Sequence, residues 1–429
     1  MKSPDWFGHP RGLTILFLTE MWEKFSYFGM RALLVYYMTK HLALSQQNAS
    51  WIYGGYTAFA YFTPILGGFI ADRFLGRRRA VVLGGAVMAL GHFLMAFEAL
   101  FYPALVTIAL GNGLFLPSLP SQVQSLYRSD DPRRDSAYSV YYVGVNLGAV
   151  LAPLVCGTLG ELYGWHWGFG AAGAGMCLGL AIYVWGGRYL PVAEAAVRTE
   201  PTSRPDGSTV GRLALLFGVI AIVVVFRGAY EQTGNTVALW ADGSVDRRAG
   251  EWIIPSTWFQ ALNPLLVFTL TPVLLGLWAR RAKTRAPARP LRKMAFGALV
   301  VALAYGWLVL ATQLTGGAPA HWLWLALFFG IYTLGELYIL PTGLALFGSM
   351  APPALAATTM ALWFSASFAG NLFAGGVGSL WSSLAPADFL ALVGSIAALA
   401  AALLMLLDRP ARALVGTEVS LAKTQRAQR

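Results

Sequence analysis

Twelve long apolar runs decide what this chain of 429 residues can fold into. They span 13–39, 50–71, 80–101, 103–124, 136–159, 167–187, 213–239, 253–279, 291–313, 321–347, 355–382 and 386–407. A helix rises ~1.5 Å per residue and the hydrocarbon core of a bilayer is ~30 Å thick, so about 20 apolar residues cross it. Each run reaches that length, and none shows the alternation of a barrel strand. Hydrophobic residues make up 57% of the chain and charged residues 12%. A soluble domain carries about 25% charged residues, so too little polar surface remains to cover a water-soluble globule. The expected fold is an all-α membrane protein of twelve transmembrane helices in two six-helix bundles.

The polar, Pro-containing segment 188–212 divides the runs six to six, with Pro191, Pro201 and Pro205 in it. We expect an N-terminal bundle at 1–190, a linker at 191–211, a C-terminal bundle at 212–410 and a tail at 411–429. Met1–Gly12 is polar, and the first run is too long and too charged for a secretory leader. Cys156 and Cys177 both lie in apolar runs, which provides neither a disulfide framework nor a metal site.

The net charge of +11 takes its meaning from this layout. With both termini in the cytoplasm, 25 of the 31 basic residues fall in cytoplasmic segments. Three (Lys40, Arg247, Arg248) fall outside and three (Lys24, Arg31, Arg227) within helices. That bias orients the chain in a cell membrane, with an affinity for anionic lipid. A nucleic-acid partner is not expected.

Seven ionisable residues sit within the helices, away from the ends of the runs: Glu20, Glu23, Lys24, Arg31, Arg227, Glu231 and Glu336. Each is costly in lipid, so each is expected to face a polar cavity. At ~100° per residue, Glu20, Lys24, Tyr27 and Arg31 fall within about 60° of one another, with Glu23 at the edge. Four carboxylates against three cations leave one excess negative charge. A carboxylate without a partner in a poorly solvated cavity takes up a proton, or holds an ammonium group instead. Proton coupling is therefore favoured over sodium coupling. The alternative is ion pairing that only holds helices together. A channel would show a ring of like charges or carbonyls, which is missing. An enzyme would need a nucleophile–base set, and His92, His166 and His321 are isolated.

Several stretches resemble one family in order along the chain. Glu20-Met-Trp-Glu23-Lys24-Phe-Ser-Tyr27-Phe28-Gly29-Met-Arg31 is similar to the first-helix ExxER signature of the proton-dependent oligopeptide transporters, within the major facilitator superfamily. Gly67-Gly68 to Arg79 resembles the superfamily's cytoplasmic loop motif. Tyr141-Tyr142-Val-Gly-Val-Asn146-Leu-Gly148, Tyr230-Glu231-Gln232, Trp258 to Pro264, Gly335-Glu336-Leu337 and Gly370-Asn371 resemble the fifth, seventh, eighth, tenth and eleventh helices.

The resemblance implies proton-coupled import of di- and tripeptides by alternating access, with no cofactor beyond the proton. It assigns proton coupling to Glu20, Glu23, Lys24 and Glu231. It assigns the peptide's amino end to Asn146, Asn263 and Glu336, since amide oxygens and a carboxylate are what an ammonium group needs. Arg31 and Glu231 would form the outer gate, and protonating Glu231 would weaken it. Tyr27, Tyr61 and Trp363 would line the pocket. Another solute on the same scaffold, such as nitrate or a peptide-like drug, is the nearest alternative, and a non-transporting peptide receptor is a further one. One subunit suffices for this function.

Three positions depart from the family pattern. Lys24 replaces the usual arginine and loses bidentate recognition of a carboxylate. Leu116, before Pro117, stands where a fourth-helix lysine is common. Arg227 stands where an aromatic residue is usual, one helical turn before Glu231. Arg227 is expected either to replace part of the missing charge near the substrate or to pair locally with Glu231. The linker of about 24 residues is too polar for the extra helix pair that some members carry.

Overall fold

In a computed structural model, the structure describes residues 8–128, 131, 133–191, 207–283, 289–350 and 356–427. Among these residues, twelve helices of 18 or more residues run in chain order. The first six are α1 Arg11–Tyr36, α2 Gln46–Ile70, α3 Arg77–Leu94, α4 Phe101–Ser118, α5 Arg133–Ala152 and α6 Trp165–Gly186. The others are α7 Gly207–Tyr230, α8 Leu262–Ala282, α9 Pro290–Thr315, α10 Trp322–Met350, α11 Ala356–Gly378 and α12 Pro386–Ala427. Eight helical segments of the described residues are long and apolar enough to cross a membrane by length and composition. The first helix misses that mark because Glu20, Glu23, Lys24 and Arg31 interrupt it.

Packing partners repeat after six helices. In the first half α1 packs on α5 and α6, α3 on α4 and α6, and α2 on α4. In the second half α7 packs on α11 and α12, α9 on α10 and α12, and α8 on α10. Between the halves, α2 runs along α11 and α5 along α8, the same relation twice. The apolar cores are separate as well. One holds residues of the second half alone, from Leu215 to Leu404, and two hold residues of the first half alone. Among the described residues, the small cluster of Val35, Tyr36 and Ala238 joins the two halves. This is the internal repeat of a molecule whose halves can rock about a central site. Of the linker expected at 191–211, residues 192–206, and with them any extra helix pair, lie outside the described residues, and α7 begins at Gly207, inside the expected linker. The helix entering the expected tail continues to Ala427.

Small residues let the helices approach closely. A Cβ at Gly148 would clash with the Met21 carbonyl oxygen, so α5 touches the α1 backbone beside Glu20 and Glu23.

Several runs break where polar backbone chemistry interrupts them. The seventh ends at Tyr230, followed by a 3-10 turn Glu231–Gly234 and a short helix Thr236–Gly243. The eighth begins as the 3-10 segment Ser256–Ala261, after two small strand pairings. In these, Val245–Asp246 pairs parallel with Ala320–His321, and Arg248–Ala249 pairs antiparallel with Trp252–Ile253. These strands were not expected from the runs; they lie in loops, where two residues suffice to satisfy the backbone.

The halves meet by hydrogen bonds at the end remote from the chain termini. Tyr36 donates to the Ala238 carbonyl (2.9 Å), Gln46 to the Gly378 carbonyl (2.9 Å) and Ser50 to Asn235 Oδ1 (3.1 Å). Lys40 pairs with Asp242 at 2.7 Å. The Glu161 carboxylate accepts from the backbone N–H groups of Ser256 (3.0 Å) and Thr257 (2.8 Å). Trp258 Nε1 donates to Thr158 Oγ1 at 2.7 Å. That end is closed.

Candidate substrate and proton site

Helix α1 carries its charges along one buried stripe. Near its middle, Lys24 Nζ lies 2.6 Å from Glu23 Oε2 and 3.4 Å from Glu20 Oε1. Both carboxylates are buried, and the lysine side chain is 13% exposed. Two acids share one base there, and the charge on the group is −1 when all three are ionised. Seven residues further, about 10 Å along the helix, Arg31 reaches the closed end. Its Nε donates to the Tyr53 hydroxyl at 2.6 Å, and its Nη2 meets Glu231 Oε2 at 2.7 Å.

Glu231 sits at the break after α7, held there by its neighbour. Gln232 Nε2 donates to the Gly228 and Ala374 carbonyls, each at 2.9 Å. The other oxygen of Glu231 takes Arg227 Nη1 at 2.7 Å. The Arg227 guanidinium lies over the Tyr61 ring, 5.4 Å from its centre. Two arginines thus flank one carboxylate, and this group carries +1.

Glu336 on α10 is served by neutral donors. Tyr230 OH donates to Oε1 at 2.7 Å and Asn263 Nδ2 to Oε2 at 2.6 Å. Asn263 also donates to Thr333 Oγ1 at 3.0 Å. Tyr332 stacks on Tyr230 and donates to its carbonyl at 2.6 Å, which fixes the ring. Asn146 spends Nδ2 on the Tyr142 carbonyl at 2.9 Å, leaving its amide oxygen for an incoming donor.

A cavity of about 190 Å³ gathers Arg31, Tyr61, Tyr142, Asn146, Glu231, Gln260, Asn263 and Glu336 from both halves. A second, mainly apolar cavity of about 470 Å³ shares Tyr142 with it and includes Arg227, Trp278 and Trp363. Trp363 packs on Phe347 with ring centres 5.1 Å apart.

Of the residues singled out by sequence, Arg31, Tyr61, Asn146, Glu231, Asn263 and Glu336 come together in the first cavity. Arg227 and Trp363 lie in the second. Glu20, Glu23, Lys24 and Tyr27 line neither, so the single chamber expected for all the charges is instead a cavity with a separate acid–base group further along α1. Tyr27 stacks on Tyr56 with ring centres 6.4 Å apart. Arg227 takes the local pairing with Glu231.

Sequence reasoning gave no site role to Tyr230 and Gln260, which it met only inside motifs, and did not single out Tyr53 or Thr333. Thr333 lies three residues before Glu336 on the same face, and Tyr230 adjoins Glu231, so both could have been found from spacing. Tyr53 carries no such mark.

Comparison with known proteins decides the family. The POT family model matches residues 78–193 and 192–388. The chain belongs to the POT family. It is 32% identical to the peptide transporter YePEPT of Yersinia enterocolitica, over 87% of this chain and 88% of that one. It is 30% identical to the di-/tripeptide transporter of Lactococcus lactis subsp. cremoris, over 96% and 97%. A solved peptide transporter POT in complex with sulfate superposes with TM-score 0.88 at 30% identity, covering 96% of each chain. This POT-family member is thus a multi-span membrane protein with the major facilitator fold.

Proposed function

We propose that this chain is a proton-coupled symporter that imports di- and tripeptides by alternating access. The observation that carries this reading is the polarity of the first cavity. At one end Arg31 meets Glu231, whose other oxygen is held by Arg227 from the adjoining apolar cavity, a group of charge +1; at the other end Glu336 has no ion-pair partner among the described residues. A zwitterion of peptide length presents the complementary pair. Its ammonium group meets Glu336 and the Asn146 oxygen, while its carboxylate turns toward the arginines. Charge-assisted hydrogen bonds are about twice as strong as neutral ones, so both ends add recognition. Nitrate offers no group for Glu336 and would meet a like charge there. The names of the relatives above support the same substrate class.

The coupling proton is assigned to the Glu20–Glu23–Lys24 group, where two carboxylates compete for one ammonium. Protonating either acid leaves a neutral pair, which costs less to bury than an excess charge. Tyr27 lies on the same stripe of α1, between this group and Arg31. Trp363 and its apolar neighbours take a substrate side chain. The bundles at 1–190 and 212–410 rock about the cavity, joined through 191–211. The surplus of basic residues on the side of the termini supports cytoplasmic termini, and with them a closed end that faces outward.

Uptake of labelled dialanine into proteoliposomes tests this reading. A proton gradient directed inward, with the outside more acidic than the lumen, should drive accumulation above the equilibrium level, and Glu20→Gln should abolish the drive. Uptake that merely equilibrates would remove the symport reading, and binding without flux would indicate a receptor.

A further inference from the structure

The three charged groups of the outer gate are not equivalent. Arg31 is anchored to its own half, since Nε is bound by Tyr53 of α2 and the guanidinium lies 5.6 Å from that ring's centre. Arg227 is held by its ion pair and its stem in the other half, while its guanidinium also lies over the Tyr61 ring of α2. It lies one turn from Glu231 on the same α7–3-10 segment, and its stem passes directly over Gly370 of α11. A Cβ at Gly370 would come within 2.6 Å of Arg227 Cβ and 2.8 Å of its Cδ, so this glycine makes room for the arginine. In this triad, the bond between halves is Arg31 Nη2 to Glu231 Oε2.

When the halves separate, Glu231 therefore keeps Arg227 and travels as a neutral pair, while Arg31 is left with its charge on the other wall. A gate made of Arg31 and Glu231 alone would part into two buried charges, and a proton on the carboxylate would ease that. Here a proton on Glu231 would instead strand two guanidinium groups. The titratable and charged groups around Glu231 are Arg31, Tyr53, Tyr61, Arg227, Tyr230, Tyr305, Tyr332 and Glu336. The other acid, Glu336, is already held by Tyr230 and Asn263.

We infer that Arg227 is a positioning residue that keeps Glu231 compensated in both gate states, so that the outer gate opens without a proton on Glu231, and the Arg31 released by opening becomes the docking cation for the substrate's carboxylate. This rests on the symport reading for its substrate but not for its gating. It moves the proton role given to Glu231 by resemblance onto the α1 group alone.

Spin labels on Asn48→Cys and Glu251→Cys, in a Cys177→Ser background, report the width of the outer end in liposomes without peptide. Lowering the pH from about 8 to about 5 should change the open fraction by the same factor in the otherwise native chain and in Glu231→Gln. Arg227→Leu should add a rise of about tenfold that disappears in the double variant Arg227→Leu/Glu231→Gln. The inference is overturned if Glu231→Gln alone abolishes the native pH response, or if Arg227→Leu adds none. Should Arg227→Leu fail to fold, the comparison of native chain with Glu231→Gln still decides. Because no transport is read, an absence of peptide uptake would count against the symport reading and leave this result standing.

Discussion

Replacing Glu336 with glutamine tests the amino-end site at a single atom. Both carboxylate oxygens of Glu336 accept, one from Tyr230 OH and one from Asn263 Nδ2. A glutamine supplies one acceptor and one donor, so either Tyr230 or Asn263 meets another donor and must turn away. The charge is lost as well. A hydrogen bond to a charged group contributes about 1.5–3 kcal/mol net, which corresponds to about 10- to 150-fold in affinity. Tyr230→Phe keeps the charge on Glu336 and removes only one donor that positions it, so it should weaken dialanine binding by a smaller factor than Glu336→Gln. Dialanine affinity is measured by titration calorimetry on purified protein, with N-acetyl-dialanine as the control that lacks an ammonium group. Glu336→Gln should weaken dialanine by the larger factor and leave the acetylated analogue unaffected. Dialanine binding within about threefold of native would refute the placement of the ammonium group on Glu336.

Other substitutions probe the surrounding structure. Arg31→Gln leaves Glu231 on Arg227, so closure should weaken by about 1.5–3 kcal/mol rather than the ~3–5 of an orphaned buried charge, read as a larger open fraction at the outer end. Glu161→Ala removes the acceptor of the Ser256 and Thr257 amides, and their hydrogen exchange should quicken by about tenfold or more, with amides elsewhere in α8 unchanged. Gly370→Ala forces a methyl against the Arg227 stem and should lower stability by about 1–3 kcal/mol by thermal unfolding. Its gate should then respond to pH as Arg227→Leu does.

Much of this architecture was legible in the chain. Length, hydropathy and the six-to-six division follow from solvent physics, because a backbone in lipid must satisfy itself as helix. The stripe on α1 was legible because helical periodicity fixes which residues share a face. Other features depend on what crosses between helices. The break at Glu231 lies inside a run that reads as one helix to residue 239, and Gln232 binding to Ala374 fixes it from another helix. The eighth run, expected from 253, starts close to that point, but its first part, Ser256–Ala261, is 3-10 rather than α, with Glu161 capping Ser256 and Thr257 from the opposite half. Tyr53 became a gate residue through Arg31, one turn short of the remote end. Likewise the seven charges were read as one set, and only coordinates separate them into a −1 group, a +1 group and Glu336.

The most direct test of coupling lets peptide move protons. The transporter is sealed into liposomes at matched pH inside and out, with a pH-sensitive dye inside and the membrane potential clamped. Adding dialanine outside should acidify the lumen, and N-acetyl-dialanine should not. Dialanine that enters at the same rate without acidifying the lumen would contradict the account.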